Sequence, residues 1–359
     1  MTQGTGAGLV DCHTHTLPRN WLDLAERYGD DRWPVRGPVD RCSADLFVGG
    51  KHFRTVPHTC WDPAARIEQM DADGVAQQWL SATPVLFSYW APPRQCAEMA
   101  RHVNDGIAEM VRHAPDRFVG LATLPMGDTD LALAELERAT GELGLRGVEI
   151  GTNIAGRELD DPSFLPVFQE MADRGVPLLV HPWDIRSADR LARYNAMYTV
   201  GMPTETAYAA LALLHGGVLG AVPGLRVLLA HGAGALAWLL PRIDRGWATW
   251  PDRRGGAEQP PGVLARRLWA DSLAGDEANI RLAGHRLGWD RIVLGTDYPF
   301  PFGEQSPGDV VLASSLDPGT KTAILSGNSA ALLTGLPTDH THGQHGQHGQ
   351  HSQHSQEQR

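Results

Sequence analysis

Asp11-Cys12-His13-Thr14-His15 closes the first apolar run of the chain, Leu9–Cys12, and its reading decides the fold. Residues two apart on an extended strand point to the same side. His13 and His15 can therefore aim two imidazoles at one point. Alone the pair is a weak signal, open to reading as a metal site or as a surface or core pair. Eight short β-rich runs organise the body of the chain: Leu9–Cys12, Val75–Ala82, Phe118–Thr123, Gly147–Ile150, Pro177–His181, Arg226–His231, Leu268–Asp271 and Ile292–Asp297. Helical patterns lie between most of them, among them Pro63–Asp73, Ala97–His113, Asp130–Leu143 and Ser163–Arg174. The first opens on a proline and stops at Gly74, a helix-boundary signal. Strands alternating with helices imply parallel βαβ units, and eight such units imply a closed (β/α)8 TIM barrel.

The ends of the later strands sharpen the reading of the first. The fifth ends Leu178-Leu179-Val180-His181, the sixth Leu228-Leu229-Ala230-His231 and the eighth Leu294-Gly295-Thr296-Asp297. Active sites of such barrels sit at the C-terminal ends of the strands. Either later histidine alone could be a satisfied core residue. Four histidines and one aspartate converging on a single mouth are hard to explain by packing. A His-rich site with one carboxylate suits Zn²⁺ or another first-row divalent ion.

One connection is long. About fifty residues separate the first strand from Pro63, rich in Trp, Pro and Gly, with a small hairpin expected around Phe47–Val56. An inserted lid-like subdomain, about residues 17–62, is the expectation. The barrel unit is then 9–336. Residues 338–359 repeat His every third position with Gly, Ser and Gln between, and hold six of the sixteen histidines. With no apolar residue to bury, that stretch is expected to be a disordered tail.

Composition excludes other classes. The 359 residues carry 42 acids and 31 bases, net −11, without the electrostatic footprint of a nucleic-acid binder. No polybasic run suggests an anionic membrane surface, and no apolar run approaches the roughly 18 residues of a membrane helix. Cys12, Cys42, Cys60 and Cys96 form no CxxC pair, so neither a zinc knuckle nor a disulfide framework is indicated. A soluble, cytoplasmic protein is expected, since the start also lacks the charged and apolar regions of a signal peptide.

HxH on strand 1, His on strands 5 and 6 and Asp on strand 8 is the ligand pattern of the amidohydrolase superfamily. Longer blocks narrow the resemblance. Thr59-Cys60-Trp61-Asp62-Pro63, Pro84–Ala91, His181-Pro182-Trp183-Asp184, Val200-Gly201-Met202-Pro203 and Gly295–Pro301 resemble the 2-amino-3-carboxymuconate 6-semialdehyde decarboxylase family, over about residues 9–336. The resemblance implies an enzyme that decarboxylates that semialdehyde to 2-aminomuconate 6-semialdehyde and CO₂, in tryptophan/kynurenine catabolism. It implies one zinc per chain and no organic cofactor.

By the same resemblance, His13, His15, His181 and Asp297 match the zinc ligands. His231 matches the catalytic histidine that helps deprotonate the metal's water. Arg54 and Arg242 match two arginines that hold substrate carboxylates, the second donated by the neighbouring subunit of a homodimer. Trp183 and Phe87 match aromatic pocket residues. Guanidinium forks suit a dicarboxylate, and a neutral histidine suits general-base work.

Some positions depart from the family's pattern. Gly275 stands where the family has a histidine, and Gly232-Ala233-Gly234 replaces a run of glycines. No lysine lies near the fourth strand to bridge two metals, which favours one ion. Glu149 on that strand is a second candidate bridge, but it reads first as an ordinary barrel-wall or helix-facing carboxylate. Two other classes stay open. One is a sibling enzyme: an aromatic acid decarboxylase, an amide or ester hydrolase, or a cyclase of a 3-hydroxyanthranilate-derived ester. The other is a metal-binding protein without catalysis, suggested by the tail.

Overall fold

The computed structural model describes residues 8–40 and 42–336, so the expected tail lies outside the described residues. The first strand, β1 (Leu9–Thr16), outruns the predicted Leu9–Cys12 and carries the HxH pair within it. Three strands come next in a separate antiparallel sheet, β2 (Val35–Arg36), β3 (Ser43–Val48) and β4 (Lys51–Pro57). Gly49 and Gly50 join β3 to β4 with φ of 60° and 66°. A two-residue hairpin loop with both central residues left-handed is the tight turn that glycine permits. The hairpin expected at Phe47–Val56 is therefore present, longer, and joined by a third strand.

The remaining strands are β5 (Val75–Ala82), β6 (Phe118–Thr123), β7 (Gly147–Gly151), β8 (Leu178–His181), β9 (Val227–Leu229), β10 (Leu268–Asp271) and β11 (Ile292–Val293). Together with β1 they form one eight-stranded sheet in the order β1-β5-β6-β7-β8-β9-β10-β11, paired in parallel throughout. The sheet closes at its two ends. Cys12 N donates to Leu294 O at 2.8 Å, His15 N donates to Tyr298 O at 2.7 Å, and Thr14 bridges Tyr298. This is a TIM barrel.

Helices lie between the strands, and their starts are capped as their sequences demand. Asp62, Asp128 and Asp276 each accept backbone N–H groups at the openings of helices Pro63–Ala72, Thr129–Gly141 and Glu277–Leu287. A carboxylate there satisfies orphan donors and complements the helix dipole. Helix Pro93–His113 begins four residues before its predicted start, with its proline in the first turn.

An apolar cluster separate from the main core includes Cys12, Trp79, Val119, Leu179, Leu228 and Trp269. Trp79 pairs with Val119, and Leu228 pairs with both Leu179 and Trp269, so these side chains share the inward face. They fill the barrel below its mouth and leave the polar residues above. Two strands stop earlier than predicted. β9 ends at Leu229 and β11 at Val293, and beyond these ends His231 and Asp297 adopt left-handed backbone with φ of 58° and 61°. Both residues border the cavity at the mouth.

Candidate metal centre

β1 delivers His13 and His15, β8 ends on His181, and the turn after β11 delivers Asp297. One ligand atom from each of these four lies within 4.8 Å of every other. His13 and His15 are wholly buried and His181 is 3% exposed. His231 stands beside them, its ring centroid 4.9 Å from that of His181 and its Nε2 3.9 Å from Asp297 Oδ2.

The outer nitrogens of the three buried imidazoles fix which inner nitrogens are free. His13 Nδ1 lies 2.7 Å from Asp271 Oδ2. His15 Nδ1 lies 2.8 Å from Ala82 O, and His181 Nδ1 lies 3.1 Å from Pro182 O. Each oxygen can only accept, so each Nδ1 donates and each Nε2 presents a lone pair inward. His13 Nε2 and His15 Nε2 are 3.2 Å apart. Two lone pairs at that distance repel, so the pair must share either a proton or a metal ion. His181 Nε2 and Asp297 Oδ1 are buried without a hydrogen-bond partner, although Oδ1 lies 2.9 Å from His15 Nε2. Three imidazole nitrogens and one carboxylate oxygen without other partners fit a first-row divalent ion.

The electrostatics agree. Burial holds the His181 imidazole well below its usual range, with His15, His231 and His13 adding to the effect. Burial also lowers His15 and His231, against the pull of Asp297. These rings are neutral near pH 7, as ligands and a general base must be. His13 is the exception. Burial lowers it, but the hydrogen bond and charge of Asp271, with Asp297 and Glu149, outweigh burial and push it up to about 9. Here a proton takes the place a metal ion would occupy. Burial would raise Asp297, yet His15, His13 and His231 keep it below the ordinary carboxylate range.

Several supporting residues were not legible in the sequence. Asp271, at the end of β10, also accepts His231 N at 2.9 Å and Gly232 N at 2.7 Å. Asp11 accepts Thr296 Oγ1 at 2.6 Å and Thr296 N at 3.1 Å, which ties β1 to the turn that carries Asp297. Arg66 is fully buried and donates through Nη1 to His15 O at 2.9 Å. Glu149 points into the barrel, with Oε1 3.7 Å from His15 Nδ1 and neither oxygen hydrogen-bonded. Burial pushes its carboxyl well above the usual range. It does not join the four ligands.

A cavity of about 920 Å³ opens over this cluster, and Arg54, Trp183, His181, His231, Asp297 and Phe300 line it. Arg54 projects from β4, its guanidinium carbon 4.1 Å from the Phe300 ring centroid. No ion pair engages Arg54 among the described residues, which leaves its N–H groups for a ligand. Trp183 packs edge-on against Phe53 at 6.0 Å between centroids. One expected pocket residue, Phe87, is absent from the cavity lining. Phe87 is 2% exposed and stacks on Tyr89, set back behind Pro84 and Val85, which do line the cavity. Arg242 lies on the exposed side of helix Leu236–Thr249 and does not reach the cavity of its own chain. Trp238, one turn earlier on that helix, is 77% exposed at the cavity rim.

Comparison with known proteins bears on this arrangement. The amidohydrolase family model matches residues 10–334. The chain is 39% identical over 326 residues to 2-amino-3-carboxymuconate-6-semialdehyde decarboxylase of Dictyostelium discoideum, covering 90% of this chain and 91% of that one. It is 33% identical to the Caenorhabditis elegans protein of the same name, covering 84% and 88%. Among solved structures, a dihydroxybenzoic acid decarboxylase from Polaromonas, with bound manganese and 2-nitroresorcinol, superposes with a TM-score of 0.73. At 23% identity over 91% of this chain and 96% of that one, it shares the fold.

Proposed function

The chain belongs to the amidohydrolase family, and from that membership we propose that it is a metal-dependent decarboxylase. It converts 2-amino-3-carboxymuconate 6-semialdehyde to 2-aminomuconate 6-semialdehyde and CO₂. The carrying observation is that two relatives named for this reaction match it at 39% and 33% identity over 84–90% of its length. That favours decarboxylation of this substrate over hydrolysis or cyclisation of a related compound.

His13, His15, His181 and Asp297 would hold the ion, with zinc as the proposed metal. When bound, such an ion polarises substrate oxygens and makes a coordinated water acidic near neutral pH. His231, neutral and 3.9 Å from Asp297, accepts a proton at Nε2 and returns it to the substrate carbon that carries the departing carboxylate. Protonation makes that carbon tetrahedral and interrupts the conjugated enamine. The C–C bond to the carboxylate then breaks. Its electron pair restores conjugation, CO₂ leaves, and the new C–H bond keeps the proton. Arg54 holds a substrate carboxylate bidentately, and Trp183 walls the pocket.

Arg242 reaches a site only if it serves a second copy of the chain, and the working form is proposed to be a homodimer. Trp238, Tyr194 and Phe302, 77%, 82% and 67% exposed around the cavity rim, supply apolar surface for that contact. We place the enzyme in the cytoplasm and in tryptophan/kynurenine catabolism, with residues 9–336 as the catalytic unit, the insertion at about 17–62, and the His-rich tail outside it. No helix among the described residues is long and apolar enough to cross a membrane.

Incubation of the metal-loaded protein with freshly generated substrate tests the reading. Loss of the substrate chromophore with stoichiometric CO₂ is expected, and persistence of both substrate and its second carboxylate would overturn it.

A further inference from the structure

Asp271 is a hydrogen-bond partner shared by His13 of the proposed ligand cluster and the backbone of His231. Its Oδ2 meets His13 Nδ1 at 2.7 Å and His231 N at 2.9 Å. Its Oδ1 accepts Gly232 N at 2.7 Å and Leu273 N at 3.1 Å. The carboxylate is 1% exposed, so its donors are all protein groups with no water to replace them. From this geometry we infer that Asp271 is a positioning residue that couples the metal centre to His231. One oxygen fixes the tautomer that leaves His13 Nε2 free for the ion, and the pair of oxygens holds the left-handed turn that carries the His231 ring.

Both oxygens are needed as acceptors, because all four partners donate. An Asn side chain has the same shape but one acceptor. If its amide NH₂ faces His13, Nδ1 must accept, the proton moves to Nε2, and a ligand lone pair is lost. If NH₂ faces Gly232 and Leu273, the His231 turn loses its anchor. The inference deepens the proposed function and rests on it only for the role of His231.

The test compares Asp271→Asn with the unaltered protein in a chelator competition for Zn²⁺, with circular dichroism and thermal unfolding as controls for folding. A folded variant should bind zinc roughly 10–100-fold more weakly. At saturating zinc, kcat should still fall while KM holds. A folded variant with both zinc affinity and kcat unchanged overturns the inference. If the variant does not fold, the readout moves to the zinc-loaded natural chain labelled with ¹⁵N-histidine. His13 must then show a protonated Nδ1, identified against a His13→Gln spectrum, and a bare or metal-bound Nδ1 overturns the inference. Neither binding nor spectrum involves substrate, so failure here is distinct from failure of the decarboxylase reading.

Discussion

Arg54 sits over the ring of Phe300, 4.1 Å from its centroid, and the same ring stacks on the ligand imidazole of His15 at 5.3 Å. The cation is thus placed a fixed step from the metal cluster by an aromatic spacer. Its charge is delocalised over a planar fork that suits both stacking and a carboxylate. Arg54→Ala should lose a charged hydrogen bond of about 1.5–3 kcal/mol, a fall of roughly 10–100-fold in kcat/KM. Arg54→Lys should recover little, since an ammonium neither stacks nor forks. Steady-state kinetics on both variants decide this, and a kcat/KM unchanged in Arg54→Ala would remove Arg54 from the substrate site.

His231 touches the ligand cluster without belonging to it. His231→Ala should keep its zinc and lose turnover by roughly 10²–10⁴-fold, the usual worth of a positioned acid–base group. Elemental analysis beside the activity assay separates the roles. Loss of zinc in this variant would make His231 a ligand first.

The proton shared by His13 and His15 must leave when an ion arrives. His13 rises to about 9 because Asp271, Asp297 and Glu149 outweigh its burial. Below that pH the ring carries the proton, and above it the lone pair is free. Zinc added to apoprotein near pH 7.5 should therefore release about one proton per chain from this site. Affinity should weaken as pH falls. Calorimetry in buffers of different ionisation enthalpy measures the release, and a buffer-independent heat would contradict the assignment.

His231, Gly232, Ala233 and Gly234 are four consecutive left-handed residues, with φ of 58°, 63°, 63° and 57°. Glycine tolerates this backbone, whereas alanine is strained by roughly 1 kcal/mol. Ala233→Gly removes a strained Cβ but adds freedom to the unfolded chain, so a net gain of about 0.5 kcal/mol is expected. Thermal unfolding of the loaded protein reads the sign, and a lower Tm would show that the buried methyl packs usefully.

Arg242 makes a prediction that needs two damaged chains. Arg242→Ala and His231→Ala should each be inactive, and mixed subunits should regain activity. In a hybrid dimer one barrel keeps His231 and receives Arg242 from its neighbour. No recovery after dissociation and remixing would place Arg242 outside the site.

The sequence carried the barrel well where strands are buried on both faces. Phe118–Thr123 and Leu268–Asp271, buried throughout, have the predicted ends, since short β-rich runs bounded by helix signals leave little choice, and Val75–Ala82 keeps its predicted ends although Ala76 is exposed. Burial on both faces also left the direction of Glu149 open between barrel and helix side. A strand with no polar face has no alternation to say which side chain points inward. Asp271 was hidden by distance, because its bond to His13 spans 258 positions and no local spacing announces it. Left-handed backbone at His231 and Asp297, beyond the early ends of β9 and β11, was not legible either, because His and Asp adopt it more often than most residues but no local pattern says where. Arg242 was placed by resemblance alone, and one chain by itself does not bring it to the cavity.

Three of the proposed ligands come from the first and last strands' ends, far apart in the chain. His13 and His15 are on the first strand, and Asp297 comes after the last, across the seam that Thr14 and Tyr298 bridge. During synthesis the first two ligands emerge early and wait for nearly the whole polypeptide. A fragment that stops before Asp297 lacks the fourth proposed ligand. An ion held by these residues would join the first and last staves of the barrel. It would offset the entropy of closing a very large loop, and its removal should loosen that seam before any other part of the wall.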